Sequence, residues 1–345
     1  MLLLSPNRLY SEWKLAGTDV IRCSSTCILK SPKFKGIGRN AQNFADSEKQ
    51  IQIPDKGKIF VQRDQSGADA LICAYLFKPG KFRDLFLHGV KPHTYAAMNI
   101  FSEIFIKDYP EVKQLLDTSI PDLKNHPKIK EILKFIKDSN DGLYYFLGKK
   151  TIHAANYGEE AGTYSKSIMT ETEGKVIIPI KDSKIFLIKH HSKFREIKDY
   201  HYETEETVRK TRTLYNLFGY PRTFYGPFSP ELFRKAYAYI PAATVAAITK
   251  LACASIYKYI YESGKDWELL NDCHDSYLCQ CPPEEAIECA TKMAEYIEAP
   301  LVSPRGESFK MKSEATFGYN WASYHPEKNP KGMMEEDTFR KLYNI

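Results

Sequence analysis

The stretch that most constrains this chain is Leu269–Cys281, LLNDCHDSYLCQC. Leu269-Leu270 and Tyr277-Leu278 are apolar flanks around one polar knot, Cys273-His274-Asp275-Ser276, and Pro282-Pro283 stops the run. A run this short, bounded by turn residues, predicts a β-hairpin turning at or next to His274-Asp275. Holding a carboxylate and an imidazole at a hairpin tip costs desolvation unless something positive lies opposite. Asp is also an ordinary turn residue, so the knot alone is read as a surface turn. A second strand ending in Asp, far earlier in the chain, gives it more weight.

That strand starts at Lys58-Ile59-Phe60-Val61 and reaches Asp64; Ser66-Gly67-Ala68-Asp69 then opens a helix running through Phe77. Ser66 with Asp69 three residues on has the form of a capping box, which gives Asp69 a structural job. Asp64 has no such job and sits at a strand's carboxyl end, where open sheets place ligand groups. Strand–Asp–turn–helix at 64 and hairpin–Asp at 275 would supply two carboxylates to one divalent-metal site. Mg²⁺ suits such a site, with water and phosphate oxygens completing its octahedron.

A third block is YYFLGKKTIHAANYG, in which Tyr145, Lys149, His153 and Tyr157 recur every four residues. On an α-helix they form one slowly drifting stripe. One cation, one imidazole and two phenols make a poor core face. They would suit a triphosphate with a base stacked above; the plain alternative is a solvated helix face. Residues 11–55 are polar and aperiodic, and Arg22, Arg39, Asn40, Gln42 and Asn43 are long hydrogen-bonding side chains. That is loop composition, suited to phosphate and base-edge contacts or to a solvated connector.

Elsewhere the pattern predicts helices from about Phe86 to Phe146, broken near Pro92, Pro110, Pro121 and Pro127. Lys175–Leu187 is expected to be a hairpin or short strand pair, and Thr213–Tyr225 a turn-rich aromatic segment. Glu231–Tyr261 is a long core helix carrying Arg234, Pro282–Ala299 another helix, and Lys310–Trp321 a last edge strand.

At 345 residues the chain holds two or three domains' worth of core. A net charge of +6 permits a polyanionic partner without requiring one. Eight cysteines without a regular framework imply reduced thiols in a cytosol-like compartment. Cys279-x-Cys281 and Cys273 have the wrong spacing for a zinc knuckle and are expected in strands. No stretch is long and apolar enough to span a bilayer, so no membrane partner is expected. The opening MLLL lacks the long apolar core of a signal peptide.

Taken in order, these blocks resemble the polymerase core of a family A DNA polymerase, the class of bacterial DNA polymerase I and many phage and viral replicases. Arg63-Asp64-Gln65-Ser66-Gly67-Ala68-Asp69 resembles the family's motif A, Asp-Tyr-Ser-Gln-Ile-Glu. Lys149…His153…Tyr157-Gly158 resembles motif B, and His274-Asp275-Ser276 resembles motif C, more commonly His-Asp-Glu. Thr18…Arg22-Cys-Ser-Ser25 with Asn40-Ala-Gln-Asn43 is similar to the segment TGRLSS…PNLQN with an insertion. His93-Thr94 and the closing GYNW match weaker landmarks. The likeness covers most of residues 15–322.

The resemblance implies that Asp64 and Asp275 hold two Mg²⁺ ions, with the Gln65 carbonyl helping, for attack of a primer 3′-hydroxyl on the α-phosphate of a dNTP. It implies that Lys149 neutralises triphosphate charge, with Tyr145 and His153 on the same nucleotide-binding stripe, and that Tyr157 stacks near the templating pair. Asp69 would stand where a Glu selects deoxyribose. Arg22, Asn40, Gln42, Asn43 and Arg234 would touch primer–template DNA, and His274 the primer terminus. Several positions depart from the pattern. Tyr145 occupies the place of an Arg, His153 that of an aromatic, and Ser276 that of a Glu. Ala238 and Ala242 replace an Asn and a Gln. A shifted register, matching Asn156-Tyr157-Gly158 to Asn-Phe-Gly, would put Lys149 at the Arg and His153 at the Lys.

The implied fold is α+β: a right-hand palm, an antiparallel sheet backed by helices, plus helical fingers, with thumb and exonuclease domain absent. Its expected parts are palm 1–85, fingers 86–225 and palm 226–345. A separate chain carrying thumb and exonuclease would then be a partner. The alternatives are a single-subunit RNA polymerase-like enzyme, and a non-catalytic nucleic-acid-binding remnant of the fold.

Overall fold

The structure, a computed structural model, describes residues 11–27, 42, 44 and 46–343; Asn40 and Asn43 lie outside them. The chain divides into two compact units. The first comprises Met1–Ala68, Ala242–Val302 and Ser308–Ile345, and the second Asp69–Pro241 with Ser303–Glu307.

The first unit is built on a five-stranded sheet, its strands numbered here in chain order. They are β1 (Ile59–Gln65), β2 (Glu268–Asp272), β3 (Ser276–Cys281), β4 (Ser313–Gly318) and β5 (Met334–Glu335), in spatial order β5-β4-β1-β3-β2. Every pairing is antiparallel. All six residues of β3 are buried, so YLC packs as a continuous apolar run rather than an alternating one. Side-chain alternation sets Val61 opposite Cys279 and Arg63 opposite Tyr277. The Tyr277 hydroxyl donates to the Met293 carbonyl at 2.6 Å, so this face meets the helix Ala286–Ile297. Phe60 and Leu278 belong to the other face and form a core with Trp321, joined by Phe44, Leu270, Cys273 and Met333.

Three sequence expectations change here. Residues 11–55 are not all loop, because Ser11–Lys14 and Ser24–Cys27 pair as an antiparallel hairpin. The closing strand β4 is internal, since the two residues of β5 lie outside it; a strand that short has no readable period. The Ser66–Asp69 capping box does not form as read, because the Ser66 N–H donates to the Lys312 carbonyl at 2.8 Å.

The second unit is helical apart from a short hairpin, Thr213–Tyr215 with Pro221–Thr223. Pro92 and Pro121 sit in the first turn of their helices, where no N–H is missed. Lys175–Leu187 is not a strand pair. Pro179 precedes the helix Ile180–Lys193, whose buried Ser183, Leu187 and His190 recur at helical spacing. The 34-residue helix Pro230–Ser263 corrects the bilayer expectation: by length and composition it could cross a membrane, yet 67% of its most apolar window is buried in the fold. It packs as a core helix.

Arg83, only 4% exposed, closes the end of the helix Ala68–Leu76. Its guanidinium donates to the Ala74 carbonyl at 2.9 Å and the Phe77 carbonyl at 2.7 Å, and pairs with Glu307. The Ala74 carbonyl would otherwise be orphaned, and the Phe77 carbonyl would keep only Arg305, at 3.2 Å. Arg83→Ala is therefore expected to cost about 3–5 kcal/mol of stability. Urea denaturation followed by far-UV circular dichroism measures this; a loss below about 1 kcal/mol would contradict it.

Candidate active site

Asp64 and Asp275 come together in the first unit. In the β1–β3 ladder Asp64 lies opposite Ser276, and the Gln65 N–H donates to the Asp275 carbonyl at 3.0 Å. Opposed Cα atoms of antiparallel strands are about 4.5–5.5 Å apart, so the two acids occupy neighbouring backbone positions at one end of the sheet. Both side chains are exposed, although Gln65 and Ser276 beside them are buried.

The turn between β2 and β3 is tightly specified. His274 takes φ +73°, a left-handed conformation uncommon for a side chain of this size. Its N–H donates to Asp272 Oδ1 at 3.1 Å, the Asp275 N–H to the Cys273 carbonyl at 3.0 Å, and the Cys273 N–H to the Ser276 carbonyl at 2.7 Å. Asp272, which the sequence did not single out, thus acts as an Asx-type turn former.

This donor set fits a hard divalent cation. Mg²⁺ takes oxygen ligands, commonly one or two carboxylates with water and substrate phosphate filling the rest. Two exposed, adjacent carboxylates on backbone fixed by the ladder leave such positions open. Among the described residues no group of three or more His, Cys, Asp and Glu side chains forms a cation cage.

Side-chain relays brace the strands that carry the acids. Trp321 Nε1 donates to Gln62 Oε1 at 2.7 Å, and Gln62 Nε2 donates to Ser276 Oγ at 3.0 Å. Ser276 is therefore a buried acceptor inside the fold, which is what the hydroxyl does where the family pattern has a carboxylate. The Gln65 side chain is also buried and donates through Nε2 to Thr249 Oγ1 at 2.7 Å. Any part it plays at the metal falls to its backbone carbonyl. Gln62 and Thr249 carried no signal in the sequence, and Trp321 only that of the closing GYNW, because their partners lie far away along the chain.

The expected DNA contacts fare differently. Gln42, expected on DNA, uses its side chain internally: Nε2 donates to the Asp272 carbonyl at 2.9 Å and Oε1 accepts from the Ser25 N–H at 3.2 Å. It ties the first hairpin to the β2–β3 turn. Arg22 is half-buried near His274. Burial lowers the His274 pKa and the Arg22 charge adds to this, against the opposing pull of Asp272 and Asp275. The ring is thus biased toward its neutral form.

In the second unit the stripe lies on the helix Leu143–Asn156, with Tyr157 at its end. Leu147, Thr151, Ile152, Ala154 and Ala155 face inward, while Lys149 and His153 are exposed and Tyr145 and Tyr157 half-buried. The helix sits close against Pro92–Ile100: a Cβ on Gly148 would come within 2.5 Å of the His93 carbonyl oxygen. The sequence treated His93 as a minor landmark, yet its Nδ1 lies 3.3 Å from the Tyr145 hydroxyl. Burial, then the charges of Lys149 and Lys91, push its pKa down to about 4. The rings of His153 and Tyr157 meet edge to face at 4.6 Å. Arg234 pairs with Glu160 at 2.7 Å. Asp69 Oδ1 is buried without a hydrogen-bond partner among the described residues.

No protein-family model matches the chain, and no curated protein matches it in sequence. A solved structure does match in fold: the POL domain of Pol1 from M. smegmatis in complex with DNA primer-template and dNTP, at TM-score 0.65 and 16% identity. The match covers 93% of this chain and 49% of that one, so the chain spans about half the length of the solved structure. The fold is that of a DNA polymerase domain, mixed α+β with antiparallel sheets.

Proposed function

We propose that the chain is a template-directed DNA polymerase of the family A type, joining dNTPs to a primer 3′-hydroxyl. The observation that carries this reading is the pairing of Asp64 and Asp275 at neighbouring strand ends within a polymerase-type sheet. In it, Asp64 and Asp275, with the Gln65 carbonyl, would hold two Mg²⁺ ions. Bound there, the ions supply Lewis acidity for the attacking and leaving oxygens of an in-line displacement. The primer oxygen forms the new bond to the α-phosphorus as the bond to pyrophosphate breaks, and the hydroxyl proton passes to solvent. Lys149 and His153 offer exposed donors to the triphosphate, and Tyr157 an aromatic face to the base. Arg22 and Arg234 contact primer–template DNA, His274 borders the primer end, and Asp69 bears on the sugar.

The test is primer extension on a primed template with Mg²⁺, comparing dNTP with rNTP. Extension with dNTP supports the reading. Preference for rNTP would favour a single-subunit RNA polymerase, and metal-independent DNA binding without extension a remnant of the fold. Lys149→Ala is expected to raise KM for dNTP about tenfold, as loss of one charge-assisted phosphate contact does. Steady-state kinetics check this, and an unchanged KM would remove Lys149 from the site.

A further inference from the structure

Thr249 sits in the part of the helix Pro230–Ser263 that belongs to the first unit. The residue is 1% exposed, and its hydroxyl meets both acid-bearing segments. Oγ1 accepts from Gln65 Nε2 at 2.7 Å and lies 3.1 Å from the His274 carbonyl and 3.2 Å from the Val245 carbonyl, with one proton to give. Gln65 directly follows Asp64, and His274 directly precedes Asp275. One hydroxyl thus bonds to the residue after one acid and the residue before the other. The His274 carbonyl belongs to the peptide unit joining it to Asp275, at a residue already held at φ +73°. If that peptide plane turns, the Asp275 side chain moves with it. The Trp321–Gln62–Ser276 relay fixes the strands themselves but reaches neither of these two residues.

We propose that Thr249 is a positioning residue for the Asp64–Asp275 pair, setting the spacing at which the two carboxylates share a divalent cation. The proposal rests on the polymerase reading only in taking that pair as the cation site. Thr249→Val keeps the shape and removes the hydroxyl, leaving the Gln65 amide and the His274 carbonyl unbridged. Thr249→Ser keeps the bridge. A methyl-for-hydroxyl exchange at a fixed site acts on geometry, so binding and turnover move while nucleotide affinity does not.

The test is Mn²⁺ binding to the full chain without substrate, measured by electron paramagnetic resonance, alongside primer-extension kinetics and thermal melts. Expected results are Mn²⁺ affinity about tenfold weaker for Thr249→Val, kcat lowered with KM for dNTP unchanged, and Thr249→Ser close to the parent. Gln65→Leu, which removes the donor from the other side, is expected to weaken Mn²⁺ binding in the same direction and serves if Thr249→Val fails to fold. Parent-like Mn²⁺ binding in both variants, with Asp64→Asn still weakened, would overturn the positioning role and leave the polymerase reading standing. If Asp64→Asn itself leaves Mn²⁺ binding unchanged, the carboxylate-pair site falls, and the proposal with it.

Discussion

Asp64→Asn is expected to lower the rate of templated primer extension by roughly three orders of magnitude or more, about 4 kcal/mol of transition-state stabilisation. Asp275→Asn should do the same. The substitution keeps shape and hydrogen bonding but removes the negative charge that holds a hard cation. Because the side chain is exposed and the β1–β3 ladder is made by backbone, the melting temperature should stay within about 2 °C of the parent. Loss of activity with an unchanged melt is the pattern of a catalytic group, and loss of both would assign Asp64 to the fold. The double variant should be hardly slower than either single one, since residues acting as a unit are not additive. Single-turnover extension at saturating dNTP and Mg²⁺ is the measurement; a residual rate within tenfold of the parent would remove Asp64 from the chemistry.

The two acids could be found in the sequence because each ends a short apolar run next to a turn, and such local patterns survive without any knowledge of partners. Their adjacency could not be found that way. It depends on β1 and β3 pairing with Asp64 opposite Ser276, a register written in no single segment. Thr249 illustrates the same limit: in sequence it is one polar residue on an Ala-rich helix, and only the approach of Gln65 and His274 gives its hydroxyl a purpose. The internal role of Gln42 was hidden too, since an amide in a polar segment looks solvent-facing until the β2–β3 turn is packed against it. The helix Ile180–Lys193 was hidden because Val176, Ile177, Ile178 and Ile180 around Pro179 mimic a strand over a short window. Within the helical unit, prolines marked element starts well, but nothing in the sequence distinguished its buried histidines from exposed ones.

Those histidines carry the second large expectation, an acid-labile helical unit. His190 is fully buried, and neither ring nitrogen has a hydrogen-bond partner among the described residues. Burial, with a smaller push from His191, brings its pKa down to about 3. His201, 5% exposed, stacks on Tyr237 at 4.0 Å and bonds through Nε2 to the Asn156 carbonyl at 2.8 Å. Burial lowers its pKa to about 4, helped by Lys198 and opposed by the Asn156 carbonyl and Glu205. Both rings are neutral when folded and titrate near the ordinary 6.5 when unfolded. The unfolded chain therefore binds more protons over this interval. Stability is full above about pH 6.5 and falls with pH until the folded values near 4 and 3 are passed. Each group contributes a slope of about 1.4 kcal/mol per pH unit, so these two give about 4 between pH 6 and 4.5. Trp13, Trp267 and Trp321 all lie in the first unit, so the unfolding signal to follow is helical circular dichroism in urea at pH 7, 6 and 5. His190→Leu should flatten the acid slope by about a quarter while keeping the core filled, because His93, His191 and His201 are lowered as well. Parent and variant losing stability in parallel would show that the slope comes from other groups.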